Sequence, residues 1–573
     1  MRQICDQIIL IVMVLGLVAC EQAADDPELI TSPMVLDYNF GATRLSFDPV
    51  FVVNSVSLDI NAQLFDPLIR FDSKSRQIIP ALAEDWDVSQ DGLTYTFKIR
   101  EDAFWVNQAG EAQRQVTASD VVYGIRRACH PEVGSPYSHI LFTIRGCQEV
   151  NESELPDLER IEVQELAPFI VEFRLVEPIA YFPITLTMPV ARPIPQDVVE
   201  ANAKQWTELE HILTNGPYFL NESQPDDRIT LIKNEHYYQA KEFQIVRING
   251  YLLDEVAASN LYLTNQLDSI NLDATETRHL PSMSGLAKES TRIPEPCTYA
   301  YGFTLVKPPL DNVRVRRALS MALDRQELID NVQGSQLAAR HFAPPFVFGA
   351  LSLDSEVSFD LQMAKKLLAE AGYPDAQGIP PLSLWHPDNE LQAQFAAAAS
   401  EMRKVNLGIE VIVESLPREN YLTLMQRTTP LNEISHIWAL GWCADYPDQH
   451  NWIYKVFNLN AEPLAKPPAN SRFKDRITVY GGGKYIRRVS STFEELTDQA
   501  ITERDPEKRQ AFYEEAERIL TVEETMIIPV YHYTINAFTK PWVQRTFSYV
   551  GDQSFKNWTI DMAAKEAARS RDQ

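Results

Sequence analysis

Residues 441–446 read GWCADY and follow an apolar run, Ile434–Leu440, that predicts a buried strand. The six residues are therefore expected at the end of a strand, where Gly441 lets the backbone turn or approach a ligand closely. Trp442 offers a large flat surface for contact. Cys443 can tie the segment to another part of the chain.

Asp445 presents a carboxylate beside the two aromatic rings of this stretch. A carboxylate in a low-dielectric cleft pairs strongly with an ammonium group and is costly if it stays unpaired. We therefore hypothesise that Asp445 binds the free α-amino group of a peptide. The alternative is an aspartate that caps a turn after the strand.

The length and the net charge of the chain limit the number of domains and the classes of binding partner. A chain of 573 residues is too long for one hydrophobic core, so two or three domains are expected. The formal net charge of -27 argues against nucleic acid as a partner and against adhesion to anionic lipid, because both require a basic surface. The excess of acidic residues is typical of a solvated surface.

The N-terminal residues are typical of an export signal. The apolar run Ile8–Val18 is too short to span a bilayer as a mature helix. The small residues before Cys20 resemble the lipobox of bacterial lipoproteins, which predicts a signal peptide over 1–19, a lipid on Cys20 and a tether over 20–33. One lipid-modified residue would hold the protein at the membrane surface, in the periplasm or cell envelope. The alternative is an ordinary cleaved signal.

Four cysteines remain after the signal and the lipobox: Cys129, Cys147, Cys297 and Cys443. An even number in an exported chain predicts two disulfides, with three possible pairings. Cys129 and Cys147 are close enough in sequence to close a local loop, and Cys297 would then join Cys443. Zinc or thioredoxin chemistry is not expected, because the chain has no Cys-x-x-Cys motif.

Periodicity predicts a mixed α/β chain. The alternation within residues 86–100, with Asp91–Gly92 as the turn, predicts a β-hairpin. Thr117 is predicted to cap a helix. Helix and strand signals then alternate after residue 308, which indicates an α/β lobe with its own sheet. Asn458–Arg488, rich in proline, glycine and basic residues, is predicted to be a long surface loop.

Motifs of catalysis are absent from the sequence. It has no Gly-x-Ser-x-Gly elbow, no His-Glu-x-x-His motif and no Walker spacing around Gly481–Lys484. We therefore expect no catalytic residue, no metal site and no cofactor. A pair of catalytic carboxylates from distant parts of the chain stays open as an alternative.

An ordered set of blocks resembles the family 5 extracellular solute-binding proteins, which are the peptide receptors of ABC importers. The resemblance runs from about Asp48 to Trp558. The blocks are PALAEDW at 80–86, DGLTYTF at 91–97, TASDVVY at 117–123, NGPY at 215–218, PPLDNVRVR at 308–316, Asp324–Arg325 and residues 367–373. Any one block is weak evidence, whereas the ordered set is specific.

The resemblance implies a fold. It would be the two-lobed α/β clamp of periplasmic binding proteins (type II, cluster C), with an extra domain inserted in the first lobe. The implied divisions are lobe I over 34–64, 183–296 and 524–573, an inserted domain II over 65–182, and lobe II (domain III) over 297–523.

The resemblance also implies roles for residues. GWCADY resembles the stretch of peptide-binding members in which the aspartate binds the ligand's ammonium and the cysteine is bonded to the one that matches Cys297. The implied ligand-binding residues are Asp445, Trp442, Cys443, Gly441, Tyr137 and Tyr533. Arg418 and Ala439 depart from that pattern, which puts side-chain preference, peptide length and the carboxylate end in doubt.

The expected function is that of a monomeric oligopeptide receptor that delivers its ligand to the membrane permease of an ABC importer. Main-chain hydrogen bonds and Asp445 would supply affinity, and closure of the lobes would bury the peptide. The alternatives are a receptor for a dipeptide, a murein peptide, a nickel complex or an oligosaccharide, a ligand sensor that signals to a membrane kinase, and a hydrolase.

Overall fold

A computed structural model of the chain describes residues 33–72, 75, 77–224, 226–273, 286–332, 334–351, 358–425, 429–461, 491–547 and 553–571. The predicted signal peptide, Cys20 and all but residue 33 of the predicted tether lie outside the described residues, as does most of the predicted loop Asn458–Arg488. None of the helices formed by the described residues is both long and apolar enough to cross a membrane.

The strands of the first part of the chain are β1 Met34–Asn39, β2 Ile69–Asp72, β3 Gln77–Pro80, β4 Ala83–Val88, β5 Thr94–Ile99, β6 Phe104–Val106, β7 Ala112–Gln115, β8 Val163–Ala167, β9 Ile170–Arg174, β10 Tyr218–Gln224, β11 Arg228–Lys233, β12 Ile245–Tyr251 and β13 Ser269–Asp273. Those of the second part are β14 Ser290–Phe303, β15 Leu337–Ala338, β16 Leu382–Pro387, β17 Val411–Leu416, β18 Ile437–Cys443, β19 Ile527–Thr539, β20 Val543–Gln544 and β21 Thr559–Ile560.

The α-helices of the first part are α1 Ser55–Leu64, α2 Ala118–Cys129, α3 Cys147–Asn151, α4 Phe182–Thr185, α5 Gln196–Asn202 and α6 Glu255–Leu263. Those of the second part are α7 Val313–Met321, α8 Arg325–Asn331, α9 Leu361–Glu370, α10 Glu390–Leu407, α11 Arg418–Leu424, α12 Lys455–Phe457, α13 Ser491–Thr502, α14 Pro506–Arg518 and α15 Met562–Arg569.

One sheet of eleven strands runs through the described residues in the order β10-β11-β12-β1-β13-β19-β14-β18-β16-β17, with β15 also paired to β19. The long antiparallel strands β14 and β19 join its two halves. The beginning of β14 pairs with the end of β19, which itself lies beside β13. The end of β14 pairs with β18. These two strands therefore cross from one half of the molecule to the other.

Each half of the sheet has its own large hydrophobic core. The first core contains residues from β1, α1, α2 and β12, together with Phe555 and Trp558 near the C-terminus. The second contains residues from β14, α7, α10, β18 and α14. Two cores on one sheet make a two-lobed α/β protein, which confirms the predicted fold class.

A separate four-stranded sheet, β4-β5-β9-β8, packs with α2 and falls within residues 65–182. This is the segment predicted as the inserted domain, and its exact bounds stay a prediction. The predicted division at residues 523 and 524 fits the packing less well. Residues 527–531 of β19 pack in the second core, because they pair with the end of β14. The chain therefore crosses back to the first lobe after residue 531.

Local predictions are confirmed where the signal is strong. β4 and β5 form the predicted hairpin, and Gly92 in its turn has the positive φ of 75° that glycine tolerates. Thr117 and Asp120 form a capping box at the start of α2. The strand predicted at Ile434–Leu440 is wrong by three residues, since β18 spans Ile437–Cys443. The predicted strand begins three residues too early, because the apolar residue Ile434 lies before the first residue of β18.

Candidate functional site

The end of β18 places Asp445. Cys443 is the last residue of β18 and pairs with Cys297 of β14, to which it is joined by a disulfide. The backbone N–H of Ala444 then donates to Pro296 O at 2.9 Å, and that of Asp445 donates to Asn451 Oδ1 at 3.1 Å. Asp445 thus leaves the sheet two residues after the disulfide and one residue after the Ala444 hydrogen bond, and its backbone is held from both sides.

The segment after Asp445 is held by a buried ion pair. The two oxygens of Asp448 accept hydrogen bonds of 2.7 Å from Arg509 of α14, and both side chains are at least 94% buried. Asp448 Oδ1 also accepts the backbone N–H of His450 at 2.9 Å. His450 Nδ1 lies 2.7 Å from the hydroxyl of Tyr446. Because breaking a buried pair leaves a charge uncompensated, this network makes the turn rigid.

A cavity of about 610 Å³ lies between the two lobes and is lined by Asp445. Tyr446 and Pro447 are the other lining residues from the second lobe. Tyr137, from the predicted insert, also lines it. The rest of the lining, from the first lobe and the beginning of the predicted insert, comprises residues 52–54, 58, 62, 67, 70–72, 79, 187–190, 192, 217, 239, 242–244, 546–547, 553–554 and 556–559. Asp445 is half-buried at this junction.

Residues 135–139 approach Asp445 from the predicted insert. Ser135 Oγ donates to Val50 O at 3.0 Å, which anchors this segment on the first lobe. Tyr137 is half-buried and lines the cavity. The carboxylate of Asp445 acts on His139, where its charge opposes the larger desolvation effect that lowers the pKa of the imidazole. Asp445 and the insert therefore face each other across the interlobe gap.

Basic residues line the first-lobe part of the cavity. Arg70, Arg192 and Lys556 are all in its lining. Arg70 forms an ion pair with Asp66, which is 1% exposed and also accepts the Tyr238 hydroxyl at 2.8 Å. The cavity lining thus combines Asp445 of the second lobe with these cationic groups and with Asp72 and Glu242.

Sequence reasoning missed this basic region. Asp66, Arg70, Tyr237, Tyr238 and Lys556 are far apart in the chain, and only folding brings them together. Tyr237 is 4% exposed and belongs to the first core.

The other predicted ligand-binding residues do not line this cavity in the described part of the chain. Gly441 pairs with Tyr299 inside the sheet, so it forms no turn. Trp442 is 3% exposed and packs in the second core, so its ring is no open surface. The expected turn at Gly441 and the expected open surface at Trp442 are therefore wrong, because β18 continues through Cys443. The ligand-binding roles of these residues stay predictions. The half-buried Tyr533 packs against the disulfide between Cys297 and Cys443.

The remaining residues singled out in the sequence also have defined places in the fold. Cys129 and Cys147 form the second disulfide of the structure. Arg418 is the first residue of α11, and Ala439 is fully buried in β18. Asn458 is also fully buried and donates to Thr497 Oγ1 at 2.7 Å, so the predicted surface loop does not begin there.

The described residues contain one group of side chains that could share a metal ion, namely Glu208, Glu210 and His211. Both glutamates are exposed, and none of the three lines the cavity. Exposed acidic groups of this kind are common at protein surfaces, so the group indicates no function.

Comparison with known proteins gives the family and the fold of the chain. The sequence model described as bacterial extracellular solute-binding proteins, family 5 Middle, matches residues 77–462. The chain is 28% identical over 534 residues to the periplasmic oligopeptide-binding protein OppA of Escherichia coli, covering 91% of each chain. It is 27% identical to a probable deoxycholate-binding periplasmic protein of the same species, covering 92% of this chain and 93% of the other.

A solved structure shares the fold. The periplasmic murein tripeptide binding protein MppA, in an unliganded open form, superposes with a TM-score of 0.77 at 23% identity. The match covers 92% of this chain and 98% of the other. Such similarity shows a shared two-lobed architecture.

Proposed function

Since the chain belongs to the family 5 bacterial extracellular solute-binding proteins, we propose that it captures oligopeptides between its lobes for an ABC importer. Asp445 binds the N-terminal ammonium of the peptide. The family consists of binding proteins rather than enzymes, and relatives of similar length are named for oligopeptides.

The observation that carries this proposal is the place of Asp445. Asp445 lines the interlobe cavity, and its backbone is held between the disulfide and Asn451. A rigidly held, half-buried carboxylate binds an ammonium group without a large cost in side-chain entropy. A neutral sugar offers no such cation.

The first lobe offers backbone for the peptide to pair with. Residues 52–54 line the cavity, and Val52 and Asn54 have extended backbone angles. An extended peptide can add to such a segment as a further strand, so that main-chain hydrogen bonds supply affinity irrespective of sequence. Tyr137 also lines the cavity, on a segment that Ser135 anchors to Val50, and in this proposal its side chain contacts the peptide backbone.

The test replaces Asp445 with asparagine, which keeps the shape and removes the charge. We expect the binding free energy of a tripeptide to weaken by about 2–5 kcal/mol, because the ammonium loses its partner. Isothermal titration calorimetry measures this. N-acetylated peptides should bind the wild type as weakly as free peptides bind the variant.

Asp72→Asn is the matched control, since Asp72 also lines the cavity but on the first lobe. It should change affinity by less than the Asp445 variant does. Unchanged peptide affinity in Asp445→Asn would exclude the ammonium role.

Isothermal titration calorimetry also distinguishes the proposed ligand class from the alternatives. Dipeptides, murein peptides, a nickel complex, oligosaccharides and deoxycholate are titrated beside the oligopeptides. Heat from one of these classes with none from oligopeptides would overturn the proposal. Mass spectrometry of peptide after incubation tests for hydrolysis, for which intact peptide is expected.

We further propose that the protein acts as a monomer in the periplasm or cell envelope, anchored by a lipid on Cys20. The relatives are named as periplasmic, and the lipobox supplies the anchor. The mass of the mature N-terminal peptide tests the lipid: an unmodified N-terminus would refute the anchor and leave the binding proposal standing.

A further inference from the structure

We propose that Lys556 and Arg70 form a carboxylate-binding subsite in the interlobe cavity, so that the ligand carries a carboxylate as well as an ammonium group. This inference rests on the proposed function and adds the second charged group of the ligand. It assigns a role to two residues from opposite ends of the chain that both lie outside the part matched by the family model.

Lys556 presents its ammonium group to the cavity without a carboxylate partner. Its Nζ donates to Gln239 Oε1 at 2.6 Å and lies 3.4 Å from the Tyr237 hydroxyl, and both acceptors are neutral. Among the described residues it forms no ion pair. An ammonium group has three donors, so one remains for a ligand.

The carboxylate of Asp66 is already occupied. Asp66 accepts hydrogen bonds from Arg70 Nη2, from the Tyr237 hydroxyl at 3.3 Å and from the Tyr238 hydroxyl at 2.8 Å. The negative charge of Asp66 balances the positive charge of Arg70. The positive charge of Lys556 has no such ion-pair partner among the described residues. Arg70 uses one terminal nitrogen for these contacts, and its side chain is still 25% exposed at the cavity.

The electrostatics agree with an anion at this position. Burial and the positive charge of Arg70 lower the pKa of Lys556 to about 7, against the opposing charges of Asp66 and Glu242. The hydroxyls of Tyr237 and Tyr238 face the same group and stay protonated, because burial raises their pKa values. A bound carboxylate would favour protonated Lys556 and offset the repulsion from Arg70.

The ligand chemistry follows from these contacts. A carboxylate fits an ammonium beside a guanidinium, since charge-assisted hydrogen bonds are the stronger ones. The carboxylate can be the C-terminus of a short peptide or an acidic side chain of a longer one. Both sources share the chemistry, and peptide design separates them.

The first arm of the experiment uses the unaltered protein. A tripeptide with a free C-terminus is titrated beside its C-terminal amide. We expect amidation to weaken binding about tenfold or more, because one charge-assisted bond is lost. A glutamate side chain in the amidated peptide should restore affinity if the subsite reads side chains.

The second arm uses Lys556→Met, with Lys241→Met as the control because Lys241 is exposed and does not line the cavity. The Lys556 variant should lose most of the preference for the free over the amidated peptide and keep only the part due to Arg70, whereas the control should behave as the wild type. Lys556→Arg, which keeps the charge, should retain part of the preference and shows whether loss in the Met variant comes from the charge or from packing.

The third arm varies pH. The preference for the free-acid peptide over its amide should be larger at pH 6 than at pH 8, since only protonated Lys556 binds the carboxylate, whereas the titration of the N-terminal ammonium is common to both peptides. Equal affinity for acid and amide peptides at both pH values would overturn the subsite while peptide binding itself stands. Failure of every peptide to bind would overturn the proposed function and this inference together.

Discussion

Glu517 is a buried carboxylate with no cationic partner among its hydrogen bonds. It is fully buried in the second lobe, where it accepts the backbone N–H groups of Phe342, Ala343 and Leu351 and the amide of Gln449. Burial raises the pKa of Glu517 from 4.5 to about 7, although these four donors oppose the shift. The protonation of Glu517 therefore affects the hydrogen bonds that hold the loop over residues 342–351 in the second lobe.

We expect Glu517 to make the protein less stable as the pH rises. An acid whose pKa is higher in the folded state binds more protons there, so stability falls between its unfolded and folded pKa values. The shift from 4.5 to about 7 corresponds to a loss of about 3 kcal/mol in the free energy of unfolding across this window.

Urea unfolding of Glu517→Gln at several pH values checks this prediction. The difference between the wild type and the variant should change over the window, whereas Glu507→Gln, at an exposed position of the same helix α14, should show no such change. A constant difference between wild type and Glu517→Gln would refute it.

At the level of elements, the two disulfides have separate consequences. Cys297–Cys443 joins β14 to β18, two residues before Asp445, and closes a span of 146 residues. Cys129–Cys147 closes a span of 18 residues between the end of α2 and the start of α3, away from the lining of the cavity.

We expect serine replacement of either pair to lower stability by about 2–4 kcal/mol, since each crosslink restricts the unfolded chain. Only the Cys297→Ser, Cys443→Ser variant should also weaken peptide binding, because it frees the segment that positions Asp445. Thermal unfolding and calorimetry on both variants measure the two effects. Equal affinities in the two variants would show that the disulfide does not position Asp445.

Across the whole molecule, the cavity is bounded by residues from both lobes, so its volume depends on their relative position. β14 and β19 are the strands that join the two halves of the sheet. The register of β14 against β19 is irregular between Pro294 and Thr298, and again between Tyr299 and Ala300. A ladder that is interrupted at the crossing is a place where a hinge can absorb changes in backbone angle.

We expect peptide binding to bring the lobes together. Small-angle X-ray scattering should show a smaller radius of gyration when a saturating tripeptide is added. The Asp445→Asn variant, at the same peptide concentration, should show a smaller change because fewer molecules are occupied. An unchanged radius in a calorimetrically saturated wild type would contradict closure.

Much of this architecture was predictable from local pattern. The 86–100 hairpin, the Thr117 cap and the alternation of helices and strands after residue 308 depend on neighbours in sequence, and the structure confirms them. Asp445 was identified from residues 441–446 alone, in which an aspartate follows a buried strand and a cysteine. Its ligand role stays a prediction.

Other features depend on contacts between distant residues. Periodicity did not show that β18 extends through Cys443, because the pairing of that residue with Cys297 is what prolongs the strand. It also did not show that Trp442 faces the second core, since the face of a central strand is set by the layer that packs on it.

The chain's local patterns thus established its α/β class, its acidic balance and the strand that leads to Asp445, whereas the export signal stays a prediction. Folding established which charges share a cavity. Lys556 meets Arg70 and Gln239 across more than 300 positions of chain, and no local pattern encodes such proximity. The reason is physical: propensity and periodicity act over a few residues, whereas the electrostatics of a cleft arise only after the cores have packed.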